Sequence, residues 1–299
     1  MKQINKKEIL DFYKKHDSST SPGRFGEYFK KLPSEINFLI KVVQSNLIHK
    51  YWLSRYNPIS HQEILKLREI KTIKLILAKL FKYRKTSFLI ENFNERKLVV
   101  TCRHFALFLC SLLRSKDVPV RIRFGFATYF SASTSKEYYE DHSICQYWDS
   151  KRKRWAYADP QLDDFQKKSL GINFDTTNLP YGKFYSAGEI WQKIIKGTID
   201  EKNIGFSRIK GLTGGWYVGA NMIKDFFALN NSPRLDFEGD NWEKYSKLFN
   251  KENKFLGQLA KITPSPDKHF DLLRNIFQND LRNPEDAIGL IKNNKELKY

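Results

Sequence analysis

Cys102 is the residue whose type and position most clearly indicate chemistry. It follows Thr101 at the head of the segment TCRHFALFLCSLLRSKDVPV, and threonine is a favourable helix N-cap. If a helix begins there, Phe105 and Ala106 lie on its buried face while Cys102 lies at the rim. The positive end of the helix dipole and the backbone N–H groups of the first turn favour a thiolate at that place. We predict that Cys102 is a nucleophile; the alternative is a buried structural cysteine.

His142 and Asp159 could provide the acid–base partners. They stand near the two ends of the segment EDHSICQYWDSKRKRWAYADPQ, which has the pattern of a β-hairpin. A two-residue turn with Asp149 opposite Arg152 would make His142 and Asp159 direct cross-strand neighbours, with Cβ atoms about 4.5 to 5.5 Å apart. A four-residue turn would make them diagonal neighbours on the same face, and a three-residue turn would place them on opposite faces.

These three residue types in this order form a triad for acyl transfer. His142 would accept the proton of the Cys102 thiol and later donate a proton to the leaving group. Asp159 would hold the imidazole in the correct tautomer and stabilise its charged form. For His142 taken alone, a structural histidine is the alternative interpretation.

The elements that must position the triad are one helix followed by an antiparallel meander. DVPVRIRFGFATYF alternates apolar and polar residues with a period of two, which predicts a half-buried strand. HSICQYWD and RWAYADPQ predict two further strands joined by the charged turn SKRK. We expect Trp148 and Trp155 to pack across this turn, Asp141 to point away from the face of His142, and SASTSKEYYED to form a polar loop.

Helical segments are predicted on both sides of this region. PSEINFLIKVVQSNLIHKYWL carries helical spacing, and Ser60 and Glu63 have the spacing of a capping box in the next helix. The glycine-containing run KGLTGGWYVGAN lacks the residue order of a phosphate-binding loop, so we predict a helix start or a tight turn there. The chain is thus divided into a helical N-terminal region, 1–89, a catalytic core, 90–166, and a helical C-terminal region, 167–299.

Composition limits the class of protein. The 299 residues include 41% hydrophobic residues, enough for a sizeable core, but no run of roughly 18 apolar residues that would span a membrane. Cys102, Cys110 and Cys145 form no C-x-x-C pair, and the six histidines form no H-x-x-x-H pair. We therefore expect a cytoplasmic protein with reduced thiols, no metal, no cofactor and no membrane partner. Cys110, within an apolar run, is predicted to be a small core residue.

The formal net charge of +19 raises the question of nucleic-acid binding. The lysines are spread along the whole chain and alternate with acidic residues, as on solvated helix faces. No zinc finger or aromatic RNA-binding motif accompanies them. We expect a lysine-rich surface without nucleic-acid binding.

The segments TCRHFALFLCSLLRSKDVPVRIRFGFA, DHSICQYWD and RWAYADPQLD, over roughly 90–166, resemble the core of the transglutaminase-like superfamily. YEDH, YWD, DPQLD and GGWYVGANMIKDFFALNN are similar to bacterial proteins of that superfamily. The resemblance implies an α+β, papain-like core in which the cysteine helix packs on an antiparallel sheet. It implies Cys102 as nucleophile, His142 as base and Asp159 as orienting acid, with a thioester intermediate.

Two positions depart from the family pattern. His104 stands where the family often has an acidic residue, and LVVT before Cys102 replaces a more glycine-rich approach. Arg103 follows the nucleophile as in the family, and we expect it to brace the loop through carboxylates. The backbone N–H of Cys102 is one natural oxyanion donor. The second donor is open, and the candidates are as follows: Gln44, Trp52 and Gln62.

The function predicted from the sequence is cysteine-dependent hydrolysis of a protein, peptide or other amide substrate. Water is the expected acceptor because no docking feature for a second, amine-bearing substrate is present. The alternatives are a protein-crosslinking transglutaminase and a non-catalytic binding protein on the same scaffold. The oligomeric state is left open.

Overall fold

The computed structural model describes residues 5–56, 70–83, 97–131, 137–233 and 246–297. In these ranges the chain is a mixed α+β protein, as predicted. The α-helices, in chain order, are α1 (Lys6–Lys14), α2 (Gly26–Lys30), α3 (Ile36–Asn46), α4 (Ile73–Tyr83), α5 (Cys102–Arg114), α6 (Asp164–Leu170), α7 (Ala187–Ile195), α8 (Gly215–Leu229), α9 (Lys254–Ile262), α10 (Phe270–Asn279) and α11 (Pro284–Lys292). The strands are β1 (Leu47–His49), β2 (Leu98–Val100), β3 (Val120–Ala127), β4 (Tyr139–Asp149), β5 (Arg154–Ala158), β6 (Phe184–Ser186) and β7 (Ile204–Gly205).

The strands form two sheets. β1 and β2 pair in parallel, with Leu47 opposite Leu98. The larger sheet has the order β5-β4-β3-β6, with β7 paired to one end of β4. β6 runs antiparallel to β3, and β5 runs antiparallel to β4, whereas β7 is parallel to β4. The predicted meander of β3, β4 and β5 is therefore present, and β6 and β7 come from the C-terminal third of the chain.

The chain divides into two compact units that do not follow its sequence order. One comprises Met1–Ile9, Arg123–His142 and Pro180–Tyr299, and the other comprises Leu10–Ile122 and Ser143–Leu179. We call the second of these the cysteine unit, because it contains Cys102, and the first the C-terminal unit. The division 1–89, 90–166 and 167–299 stays a prediction about the order of segments along the chain.

In the cysteine unit, α5 is the central helix. Thr101 precedes it in an extended conformation, and residues 103–114 are all buried. The helix ends at Arg114, and three residues later Asp117 has a left-handed backbone angle, φ 56. Its neighbours α3 and α4 pack on it, and Phe29 stacks on Phe108 with ring centroids 5.9 Å apart. The helix is thus anchored along its whole length while its first residue stays at the rim.

In the C-terminal unit, α7, α8 and α9 pack on one another around a large apolar core. Arg123 and Asp225, both fully buried, form a two-pronged ion pair inside it: Nε donates to Oδ1 at 2.9 Å and Nη2 to Oδ2 at 2.8 Å. The backbone N–H of Phe124 also donates to Asp225. Burial of a charged pair is tolerated when the hydrogen bonds are complete in this way.

Several local predictions can be compared with the elements. The run KGLTGGWYVGAN does contain a helix start, since α8 begins directly after Gly214. The predicted helix with Ile36, Ile40 and Val43 is α3, but it ends at Asn46, and Leu47 begins a strand instead. Ser60 and Glu63 lie outside the described residues. Over the part of the chain that is described, none of the helices is both long and apolar enough to cross a bilayer.

Candidate active site

Cys102 is the first residue of α5, and it is partly exposed. The preceding residue, Thr101, is the N-cap, as predicted. The backbone N–H of Thr101 donates to Nδ1 of His104 at 3.3 Å, and Nε2 of His104 lies 3.1 Å from the carbonyl oxygen of Ile70. An imidazole that accepts at Nδ1 carries its proton on Nε2, so both ring nitrogens are used. His104 therefore supplies at the third helical position the acceptor that an acidic residue supplies in a capping box.

The other two cysteines have no access to solvent. Burial raises the pKa of the Cys110 thiol to about 11, and it raises the pKa of the Cys145 thiol well above its ordinary value. The Cys145 thiol donates to the carbonyl oxygen of Ala106 at 3.2 Å. Because Ala106 lies one helical turn after Cys102, this contact packs β4 directly on the first part of α5. Both buried thiols are structural.

His142 lies in β4 and is 1% exposed. Its imidazole packs edge-on against Phe130, with ring centroids 4.9 Å apart, and against Tyr129 at 6.0 Å. It is the last residue of the C-terminal unit, and Ser143, the next residue of the same strand, belongs to the cysteine unit. The alignment of His142 with Cys102 stays a prediction.

Asp159 directly follows β5 and is fully buried. Its backbone N–H donates to the carbonyl oxygen of Thr176 at 2.8 Å, and its Oδ1 accepts the backbone N–H of Gln161 at 2.8 Å. The carboxylate is therefore held in one orientation by its own loop. A buried carboxylate needs such donors because burial without them is costly.

The hairpin between β4 and β5 has a four-residue turn, which was the alternative to the predicted two-residue turn. Asp149 pairs with Arg154, not with Arg152, so the two-residue turn is wrong and the loop has four residues. Asp149 stabilises the longer loop by accepting the backbone N–H groups of Lys151 and Arg152, each at 3.0 Å. The two tryptophans that flank it, Trp148 and Trp155, are directly paired, with ring centroids 5.6 Å apart.

This register decides what can be expected of the acid–base pair. The pairing of β4 with β5 ends with Cys145 opposite Ala158. One further step along both strands would set Asp159 opposite Ile144, two residues from His142 in β4. His142 and Asp159 would then be diagonal neighbours on one face, which is the relationship that a four-residue turn predicts.

Of the three upstream candidates for an oxyanion donor, Gln44 has its side-chain N–H engaged elsewhere. Gln44 donates its side-chain N–H to the carbonyl oxygen of Leu162 at 3.0 Å. Trp52 is 6% exposed, and the guanidinium of Arg55 lies 4.9 Å from its ring centroid. Gln62 lies outside the described residues.

The sequence also singles out the side chains of Arg103 and Asp141. Arg103 is 3% exposed, so it contributes to the interior and not to the open surface; the carboxylates it would brace stay a prediction. Asp141 accepts the hydroxyl of Tyr217, in the C-terminal unit, at 2.8 Å. Within the described ranges, no group of three or more His, Cys, Asp or Glu side chains is placed to hold a metal ion.

A chain of polar side chains beyond Asp159 was not predicted. Gln161 Nε2 donates to Gln166 at 3.2 Å, Gln166 Nε2 donates to the Tyr56 hydroxyl at 3.1 Å, and that hydroxyl donates to Asp163 at 2.6 Å. Burial and the nearby Asp163 carboxylate raise the pKa of Tyr56, so its hydroxyl keeps the proton it donates. The segment DPQLD contains Gln161 and Asp163, but no sequence pattern connects it to Tyr56.

No protein-family model, no curated protein and no solved structure matches this chain. The assignment of a function therefore depends on the residues and their geometry.

Proposed function

We propose that the protein is a cysteine-dependent acyl-transfer enzyme that hydrolyses peptide or other amide bonds, with Cys102 as its nucleophile. The observation that carries this proposal is the contrast among the three thiols. Cys102 is partly exposed at the start of a 13-residue helix, whereas Cys110 and Cys145 are fully buried. A thiol at a helix N-terminus is in the environment that favours its reactive form.

The proposed reaction has two halves. In the first, His142 takes the Cys102 proton as the sulfur attacks the carbonyl carbon; the carbon–nitrogen bond then breaks, and the amine leaves with that proton. In the second, His142 takes a proton from a water molecule as the water oxygen attacks the thioester. The carbon–sulfur bond breaks and the carboxylic acid leaves. His142 returns the proton to the sulfur, which restores the thiol. Asp159 orients His142 throughout.

Backbone N–H groups stabilise the negative charge that develops on the reacting carbonyl oxygen in each half. A helix start presents N–H groups without partners inside the helix, and the backbone N–H of Cys102 is the nearest to the reacting carbonyl oxygen in this scheme. His104 and Thr101 hold this first turn in place through the hydrogen bond between them.

The arrangement proposed for the core is papain-like, with α5 packed on the antiparallel strands. The contact of Cys145 in β4 with Ala106 in α5 supports it, and so does the pairing of β5 beside β4. Asp159, at the end of β5, is buried as an orienting acid should be.

The test is direct detection of the acyl-enzyme. The full-length protein is incubated with activated esters and peptide amides, quenched in acid and analysed by intact mass and peptide mapping. We expect a mass gain of one acyl group on Cys102, absent in Cys102→Ala and retained in the matched control Cys145→Ala. Acylation of no cysteine by any donor, or equal acylation of Cys102→Ala, would contradict the proposal. An added amine that captures the acyl group faster than water would identify cross-linking as the reaction.

A further inference from the structure

A large polar cleft lies within the cysteine unit. It is lined by residues of α3, by Arg55 and Tyr56, by the start of α6, by Thr176 and Thr177, and by Lys97. Its volume is about 1010 Å³, at the upper end of the range for small-molecule sites. We call it the α3–α6 cleft. It has room for several residues of an extended peptide.

The cleft is close to Cys102 along the chain. Lys97 precedes β2, which leads through Thr101 to Cys102, so the Cα atoms of Lys97 and Cys102 are at most about 17 Å apart. Asp163, also in the lining, comes four residues after Asp159. A peptide bound in the cleft would need about five extended residues to cover the distance from Lys97 to Cys102.

The acidic side chains of the cleft are already engaged. Asp163 accepts the Tyr56 hydroxyl at 2.6 Å and, as the N-cap of α6, the backbone N–H of Gln166 at 2.9 Å. Asp164 points into solvent, with its side chain 97% exposed, and has Lys167 at 3.5 Å. Neither carboxylate lies at salt-bridge distance from Lys41 or Arg55.

Four cations line the cleft, and one of them, Lys167, lies 3.5 Å from the Asp164 carboxylate. Lys41 and Arg55 are both exposed, and within the described residues neither has a carboxylate at salt-bridge distance. The Arg55 guanidinium is held over the Trp52 ring. Lys97 is 9% exposed, with its ammonium 5.8 Å from the Tyr56 ring centroid. Cations fixed on aromatic faces lose little side-chain freedom when an anion binds.

We propose that the α3–α6 cleft binds an acidic segment of the polypeptide substrate and presents the adjoining bond to Cys102. The inference rests on the proposed function and adds a substrate class to it. Carboxylates of the peptide would pair with Lys41 and Arg55, while Tyr56 and Phe165 cover its apolar parts. Asn37 and Thr177 supply polar groups for the peptide backbone.

The test measures binding without turnover. Full-length Cys102→Ala is titrated into fluorescein-labelled decapeptides that contain four glutamates, or four glutamines at the same positions, at physiological salt. We expect the acidic peptide to bind at least about tenfold more tightly than the neutral one. Introducing Lys41→Gln with Arg55→Gln should abolish that preference. The matched control, Lys15→Gln with Lys151→Gln, removes the same charge from exposed sites outside the cleft. Its affinity for the acidic peptide should stay within about twofold of that of Cys102→Ala alone.

Three results would overturn the inference: equal binding of the two peptides, an equal loss in the cleft and control variants, or cleft-dependent binding of a single-stranded oligonucleotide in place of the peptide. The assay does not use the thiol. If acidic peptides bind in the cleft but Cys102 is inert, the proposed function fails alone. If Cys102 is acylated but the cleft variants bind normally, the inference fails alone.

Discussion

The imidazole of His104 accepts the backbone N–H of Thr101 at 3.3 Å and thereby closes the first turn of α5 around Cys102. The same ring reaches the Ile70 carbonyl at 3.1 Å through its other nitrogen, and it is fully buried. A histidine thus does here what an acidic residue does in a capping box. The helix start is therefore capped although its third position holds no acidic residue.

His104→Ala should destabilise the protein by about 1 to 3 kcal/mol, because a buried N–H and a buried carbonyl both lose their partner. His104→Gln, whose amide can accept and donate, should recover part of that loss. Urea unfolding of wild type and the two variants measures this change in the free energy of unfolding. Equal stability of wild type and both variants would show that the cap contributes nothing.

The buried pair of Arg123 and Asp225 predicts a large and asymmetric mutational effect. Asp225→Ala leaves a buried guanidinium without its carboxylate and the Phe124 N–H without its acceptor, and it should reduce the free energy of unfolding by about 3 to 5 kcal/mol. Arg123→Met together with Asp225→Leu removes both charges. This double variant should lose less free energy of unfolding than Asp225→Ala. If the single variant is as stable as wild type, or less affected than the double variant, this account of the pair is wrong.

Glu140 predicts a pH dependence of stability. Burial is the main cause that raises the pKa of this carboxyl above its usual value of 4.5. Ser207 donates its backbone N–H to the carboxyl at 2.9 Å, and this hydrogen bond opposes the rise. Nearby Asp141 raises the pKa further, and Arg208 opposes the shift. With a raised folded pKa, the stabilising contribution is complete below the unfolded pKa and is lost as pH rises through the folded pKa.

Glu140→Gln removes this titration and keeps an oxygen for the Ser207 N–H. Relative to the variant, wild type should therefore become less stable between pH 4 and pH 7. Chemical unfolding of both proteins at the two pH values tests the sign. A difference that is constant with pH, or that grows in favour of wild type, would contradict the prediction.

The elements that follow local rules were predicted well from the sequence. Thr101 as N-cap and the apolar positions of α5 are encoded within one helix, and the period-two pattern of β3 within one strand. The prediction that β3 is half-buried was wrong, because Arg121 and Arg123 on its polar face are 1% and 0% exposed. The hairpin loop was less determined, because SKRK fits a turn of two or four residues. What decided it is Asp149, whose carboxylate accepts two backbone N–H groups of the longer loop.

The features that were missed depend on residues far apart in the sequence. Tyr56 and Gln166 meet although 110 positions separate them, and Arg123 meets Asp225 across 102. The α3–α6 cleft is likewise assembled from several segments, so no single motif marks it. The capping role of His104 was missed because histidine is not among the residues expected at that position of a capping box.

The measurement that tests the central claim most directly is the rate of Cys102 alkylation by iodoacetamide at pH 7, followed by peptide mapping of all three cysteines. In native wild type, Cys102 should react while Cys110 and Cys145 stay unmodified, because both are buried and their thiol pKa values are raised. His142→Ala and His142→Gln, each shown to be folded, should slow Cys102 by at least about tenfold, whereas Lys151→Gln should not. Equal rates in wild type and both folded His142 variants would contradict the claim that this imidazole activates the Cys102 sulfur.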